Sequence, residues 1–250
     1  MAQTKRLIFK VNQLEKKYGS YDALKLKKLE VHPGTIYGVV GTVGSGKTTL
    51  LNILAGVEKQ SGGTILYENN EYETNWFGKI IPKDDIFYNR DPQINTPNKT
   101  VASYVSTKFG NKKKVIENRY FSDGSFKNLW KRNMKVISNA ELNWLGMILA
   151  IEADPRVLLI DDYGAYFNNK MEKDFRSKII KMNRTLGTTI IMTAPSDINL
   201  KHFASVLIFL DHGHIWKIRS GNTKPKNNNN SKNSRSRRSR SNNRNRKRRN

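Results

Sequence analysis

The sequence contains no cysteine, which excludes a disulfide framework, thiolate zinc sites and thiol catalysis. Histidine is scarce. His32, His202, His212 and His214 offer no metal-ligand spacing beyond His212-Gly-His214, which reads as an exposed turn. No apolar run approaches the ~18–20 residues that a membrane-spanning helix needs. The N-terminus passes from Met1-Arg6 into a short strand-like LIFKV without the apolar stretch of a secretory signal. These absences predict a soluble, intracellular protein that meets a membrane only at its surface. Acids are also few, 21 against 45 Lys and Arg, for a net charge of +24. Residues 222–250 lack apolar and acidic side chains altogether, and hold twelve Lys or Arg and ten Asn. Nothing there can be buried to offset chain entropy, so this segment is expected to be a disordered basic tail. Residues 1–221, with an apolar share of about 45% counting glycine, match an ordinary globular domain and can build a core.

Within that body, apolar strand-like runs alternate with helical spacing. Residues 7–14 and 35–40 read as strands, with a turn at Val31-His-Pro-Gly34 between them. Residues 48–55 have helical spacing and end at Gly56; residues 64–67, followed by Glu68-Asn-Asn, suggest a hairpin. Residues 83–135 are more polar, with apolar positions at helical spacing. Beyond them come a helix over 142–151, buried strands at 157–160 and 188–192, and a helix over 170–182. The two runs 206–210 and 215–218 flank Asp211-His-Gly-His214 as a hairpin. Alternating strands and helices predict an α/β fold with a largely parallel sheet.

Gly41-Thr42-Val43-Gly44-Ser45-Gly46-Lys47-Thr48 matches the phosphate-loop pattern G-x-x-x-x-G-K-[ST], with a strand before it and a helix, beginning Lys47-Thr48-Thr49, after it. Glycines let backbone N–H groups turn inward around phosphate oxygens, and the helix adds the positive end of its dipole. Lys47 would reach the β- and γ-phosphates, and the Thr48 hydroxyl would ligate Mg²⁺. Val157-Leu-Leu-Ile160-Asp161-Asp162 fits a central strand that delivers Asp161 to the same Mg²⁺ site.

Taken together these segments resemble the nucleotide-binding domain of ATP-binding cassette (ABC) proteins over nearly all of residues 5–220. Tyr18 in EKKYGS lies where that family stacks an aromatic ring on adenine, LLNILAG follows the phosphate loop, and SGGTILY begins a typical hairpin. ADPRVLLID places Asp161 114 positions after Lys47, and FLDHGHI closes the pattern. The resemblance implies a P-loop NTPase of ABC type, with a RecA-like core, an antiparallel β subdomain and an inserted helical subdomain at about 84–145. It further implies bound ATP and Mg²⁺, a homo- or heterodimer of nucleotide-binding domains, a membrane permease partner and a cytoplasmic place on the inner face of a membrane.

The departures bear on catalysis. Where the family has a glutamate after the Mg²⁺ aspartate, this chain has Asp162, whose carboxylate sits roughly 1 Å back; a misplacement of that size can cost on the order of 10²-fold in rate. The family's switch histidine is Ala194, its glutamine after Ile80-Ile-Pro82 is Lys83, and its later aspartate is Asn168. The signature LSGGQ aligns with Ile137-Ser138-Asn139-Ala140-Glu141, which also reads as a capping box closing a helix on its own Ser and Glu. The expectation is an ATP-binding subunit with weak or absent hydrolysis. Two alternatives stand beside it: an ABC-fold ATP switch whose tail engages nucleic acid or ribosomes, and an ordinary ATPase using Asp162.

Residues 108–135 carry nine Lys or Arg, interleaved with Phe109, Tyr120, Phe121, Phe126 and Trp130. The pattern suits nucleic-acid stacking, or equally a helical subdomain with aromatic core positions and a solvated basic face. The tail, as a polycation, could bind nucleic acid or anionic lipid.

Overall fold

Strand periodicity changes phase early in the chain, and the computed structural model shows why. It describes residues 6–90, 98–122 and 124–221, so the tail expected to be disordered lies outside the described residues. β1 (Phe9–Tyr18) buries Phe9 and Val11, then Leu14 rather than Gln13. Gln13 takes φ 48°, and the pairing with β4 (Gly62–Tyr67) slips between Asn12 and Glu15. That bulge turns Leu14 inward. It also demands Gly63 opposite, because a Cβ there would lie 1.9 Å from the Gln13 carbonyl oxygen. β2 (Tyr21–Val31) lies antiparallel on the other side of β1, giving a three-stranded sheet ordered β2-β1-β4. The hairpin expected after β4 is reduced to a tight turn closed by the Tyr67–Asn70 bridge, with one further bridge at Thr74–Ile80, and β4 itself pairs back to β1.

The second sheet has six strands in the order β5-β6-β7-β3-β8-β9. β3 (Ile36–Val40), β5 (Ile86–Tyr88), β6 (Val157–Ile160), β7 (Thr189–Ala194) and β8 (Val206–Asp211) run parallel, and β9 (His214–Ser220) closes the edge antiparallel to β8. β3, β6 and β7 are buried throughout, as a sheet covered on both faces requires. Their side chains divide by parity. Tyr37, Val39, Leu159 and Ile191 join the core between the two sheets, packed around α1 (Lys47–Leu54). Ile36, Val40, Leu158, Ile160 and Met192 join the opposite core.

That second core is covered by α2 (Val101–Phe109), α3 (Lys113–Tyr120), α4 (Asn139–Ala153) and α5 (Asn169–Leu186). The segment expected to be helical from 83 onward therefore opens with a strand, β5, paired to β6. Among the described residues, no helix is long and apolar enough to cross a membrane.

The aromatic residues of the basic stretch belong to this core. Phe121 and Trp130 are buried, and the Phe126 ring stacks on Trp144 at 3.7 Å. Their faces are therefore occupied by one another and not presented for bases.

Candidate functional site

In a parallel sheet the carboxyl ends of the strands and the turns after them form the natural crevice. Here β3, β6 and β7 deliver residues 41–48, Asp161-Asp162 and Ala194 to that edge. The loop after β3 is held on three sides. Gly41 N–H donates to the Ala194 carbonyl (3.2 Å), and Gly213 N–H, from the β8–β9 turn, donates to the Ser45 carbonyl (3.1 Å). The Tyr21 hydroxyl donates to the Gly44 carbonyl at 3.3 Å. Gly41 has no room for a side chain: a Cβ would meet the Leu210 carbonyl oxygen and the Ser45 hydroxyl, each at 2.4 Å. Gly46 stands at φ 97° as the N-cap of α1, with no side-chain cap and no acid in the first turn. The helix thus opens with unsatisfied N–H groups and an uncompensated positive dipole end, an anion site in waiting.

Lys47 is buried beneath that loop and donates to the carbonyls of Gly41 and Thr42, both at 2.8 Å. Burial lowers its pKa, and the nearby carboxylates of Asp162 and Asp161 oppose the shift. Val43 forms the exposed tip of the loop.

Asp161 is wholly buried, and its carboxylate faces three donors. Thr193 Oγ1 donates to Oδ1 (2.5 Å), while Thr48 Oγ1 (2.8 Å) and Arg90 Nη1 (3.1 Å) reach Oδ2. Its peptide is clamped as well: Asp161 N–H donates to Asn89 Oδ1 (2.8 Å), and Asn89 Nδ2 donates to the Asp161 carbonyl (3.3 Å). Asp162 takes φ 53° and donates its N–H to Thr193 Oγ1 at 2.9 Å; its Oδ2 lies 2.6 Å from Arg90 Nη2.

Thr48 and Asp161, the expected metal pair, are therefore brought together. Asn89, Arg90 and Thr193 are neighbours that the sequence reading misses. Lys83, which stands where the family has its glutamine, pairs with Glu73 at 2.6 Å ahead of β5, and Asn89-Arg90 follow the end of the strand beside Asp161.

Tyr18 keeps its ring about half exposed while its hydroxyl donates to Glu58 Oε2 (2.7 Å) and Lys16 lies 5.0 Å from the ring centre. Thr49, in the first turn of α1, is close enough to the same phenol to lower its pKa, which places the ring beside the loop. Partial burial, followed by the Glu58 contact, raises the Tyr18 pKa.

The remaining positions are structural. Asn168 caps α5, accepting from the N–H groups of Lys170 and Met171 (3.0 and 2.9 Å), and Ala194 is buried with no polar side-chain atom to offer. At α4 the capping box is formed in full. Glu141 N–H donates to Ser138 Oγ (3.3 Å), and Ser138 N–H donates to Glu141 Oε2 (2.8 Å). Arg132 Nη1 holds Glu141 Oε1 at 2.6 Å. The Ser138 N–H bond, with help from the Ser138 hydroxyl and Arg132, holds the Glu141 pKa low against a smaller desolvation effect.

Known proteins share this plan. The chain is 24% identical over 220 residues to the probable sulfate/thiosulfate import ATP-binding protein CysA of Chlorella vulgaris, covering 84% of this chain and 90% of that protein. It is 25% identical over 228 residues to the CysA of Synechococcus elongatus, covering 88% of this chain but 64% of that longer protein. Among solved structures, the dimeric MJ0796 cassette of a bacterial ABC transporter superposes with a TM-score of 0.70 at 18% identity, over 86% of this chain and 99% of that one. The ABC transporter family model matches residues 24–164, more than half of the sequence. The chain belongs to the ABC transporter family, as a member of its ATP-binding domains.

Proposed function

We propose that this chain is the ATP-binding subunit of an ABC-type transporter and that it binds ATP with weak or absent hydrolysis. The observation that carries the binding half is the uncapped start of α1 above the buried ammonium of Lys47. Residues 41–49 would hold the phosphates through backbone N–H groups and Lys47, and Tyr18 would pack against the base. Mg²⁺, where bound, supplies charge neutralisation to the phosphates, and Thr48 with Asp161 would be its holders. Residues 1–221 make up the binding body, with the helical insertion at about 84–145.

Three features support the weak-hydrolysis half. The Asp162 carboxylate is tied to Arg90 and not free to orient water, Ala194 has nothing to place near a γ-phosphate, and Glu141 puts a carboxylate at the start of α4. In a homodimer arranged like the MJ0796 cassette, each composite site would combine Asp162 and Ala194 of one subunit with Glu141 of the other, and so inherit all three. The relatives' names, import ATP-binding proteins, favour a role in transport, and with it go the permease partner and the place at the inner face of a membrane that the family resemblance implies. Calorimetry tests the binding half. The full chain should bind ATP in the micromolar to millimolar range, and Lys47→Ala should weaken binding about 10–100-fold, as loss of charge-assisted hydrogen bonds of ~1.5–3 kcal/mol implies. No heat of ATP binding in any buffer would overturn the reading.

The composition of the tail favours a second, separable activity, salt-sensitive attraction to polyanions. Deleting residues 222–250 should remove most of the affinity for duplex DNA, and the log–log salt slope of the full chain should reach about 0.9 per phosphate neutralised. ATP binding should be unchanged.

A further inference from the structure

A buried carboxylate needs a compensating charge, and at Asp161 that charge is supplied from within the chain. The guanidinium of Arg90 is planar and permanently protonated, and two of its nitrogens are divided between two carboxylates, Nη1 3.1 Å from Asp161 Oδ2 and Nη2 2.6 Å from Asp162 Oδ2. One cation thus bridges the two aspartates that follow β6. The oxygen of Asp161 that Thr48 contacts is the same Oδ2 that Arg90 contacts. The guanidinium therefore competes for the carboxylate oxygen that, with Thr48, would ligate a divalent ion.

Arg90 does not reach this place on a free arm. The residue before it, Asn89, is buried and makes two hydrogen bonds to the Asp161 peptide. From the other side α4 presses on the same segment: at Gly146 a Cβ would come within 2.3 Å of the Asn89 carbonyl oxygen. The backbone that launches Arg90 is fixed by β6 on one side and α4 on the other, so the guanidinium is held in register with the carboxylates.

We propose that Arg90 is a built-in replacement for the divalent cation, so that the phosphate loop binds ATP without Mg²⁺. The inference rests on the ATP-binding reading above. Arg90 is a positioning and charge-compensating residue: with it in place the aspartates do not repel an arriving polyphosphate, and without it a metal must take over that role.

Two measurements on the full chain test this. The first is ATP affinity in excess Mg²⁺ and in EDTA. The wild-type affinity should differ less than about threefold between the two buffers. Arg90→Ala should bind at least ~10-fold more weakly in EDTA, a loss that Mg²⁺ restores, and Arg90→Lys, which keeps the charge but not the fork, should fall between them. The second is a titration of the nucleotide-free protein with Mn²⁺, followed by paramagnetic resonance. Arg90→Ala should hold Mn²⁺ at least ~10-fold more tightly than wild type, and the additional change Asp161→Asn should abolish the gain. Wild-type binding that collapses in EDTA overturns the inference and leaves the ATP reading standing. So does an Arg90→Ala protein that gains neither Mg²⁺ dependence nor Mn²⁺ affinity. Absence of ATP binding in both buffers removes the ATP reading itself.

Discussion

Two helices in this molecule begin close to the expected nucleotide chemistry, and their first turns are built in opposite ways. α1 starts at Gly46, with a left-handed φ, no capping side chain and no acid in its first turn. α4 starts at Ser138 with a complete capping box, and the Glu141 carboxylate is fixed further by Arg132. Both ends carry the same dipole and the same orphan N–H groups. At α1 they are left for an external anion; at α4 the Ser138 hydroxyl takes the Glu141 N–H, and the Glu141 carboxylate takes the Ser138 N–H and stands over the helix end. The difference lies in a few side chains, and it separates a helix end that can receive a phosphate from one that repels it.

The largest test of this contrast is turnover. If α4 is sealed and Asp162 is tied down, ATP hydrolysis should run well below the ~1–10³ s⁻¹ typical of enzymes. Asp162→Glu alone should not raise it, since Ala194 and Glu141 remain. Brisk phosphate release that vanishes in Asp162→Asn would break the comparison, because the sealed end would then be irrelevant to chemistry.

Damage to the open end comes next. A side chain at Gly46 is strained by its φ of 97° and would bring a Cβ within 2.7 Å of the Ala23 carbonyl oxygen. Gly46→Ala should cost roughly 1–3 kcal/mol of stability in thermal unfolding, and ATP affinity should fall with it. A smaller effect is expected at the sealed end. Ser138→Ala removes a cap worth about 1 kcal/mol and should lower Tm by roughly 2–4 °C. ATP affinity should stay at the wild-type value, because on the proposed reading the subunit's own nucleotide sits at α1.

The smallest effect is in acid. Folding lowers the Glu141 pKa, so the stabilisation from its ionised form is complete above the ordinary glutamate pKa of about 4.3 and is lost as pH falls through the lowered folded value. Denaturant titrations below about pH 5 should show Glu141→Gln with a shallower acid loss of stability than wild type. Superimposable profiles would mean that the capping carboxylate contributes nothing to folding.

How much of this could be read from the sequence depended on distance along the chain. The phosphate loop is eight consecutive residues between a strand and a helix, and Ser138-x-x-Glu141 is a single helical turn; local patterns of that kind announce themselves. The strand from 157 to 160 is legible for the same reason, as an unbroken apolar run, and the strand expected at 188–192 covers most of β7 but stops short of Thr193 and Ala194. β5 is three residues long inside a polar stretch, too short for either periodicity to register. Arg90 and Thr193 were hidden for a different reason. Their meeting at Asp161 depends on β5 and β7 flanking β6, a matter of strand order that no local spacing encodes. The aromatic residues between 109 and 130 were ambiguous because stacking on bases and packing in a core select the same side chains; Trp144, outside the basic stretch, decides between them by covering Phe126.

The position of β3 also sets when the phosphate loop can exist during synthesis. β3 is made early, yet its two neighbours in the sheet are β7 and β8, made some 150 residues later, and two of the loop's three braces, Ala194 and Gly213, come as late. A ribosome that has released β3 and α1 has released the loop's residues without its walls. Contacts of such long sequence separation form slowly, because loop closure must be achieved before they stabilise anything. On the proposed ATP-binding reading, a nucleotide meets its loop only after these late strands have joined the sheet. It can only stabilise a sheet that is already closed, and any chain broken before β8 carries the phosphate-loop sequence with no site to place it in.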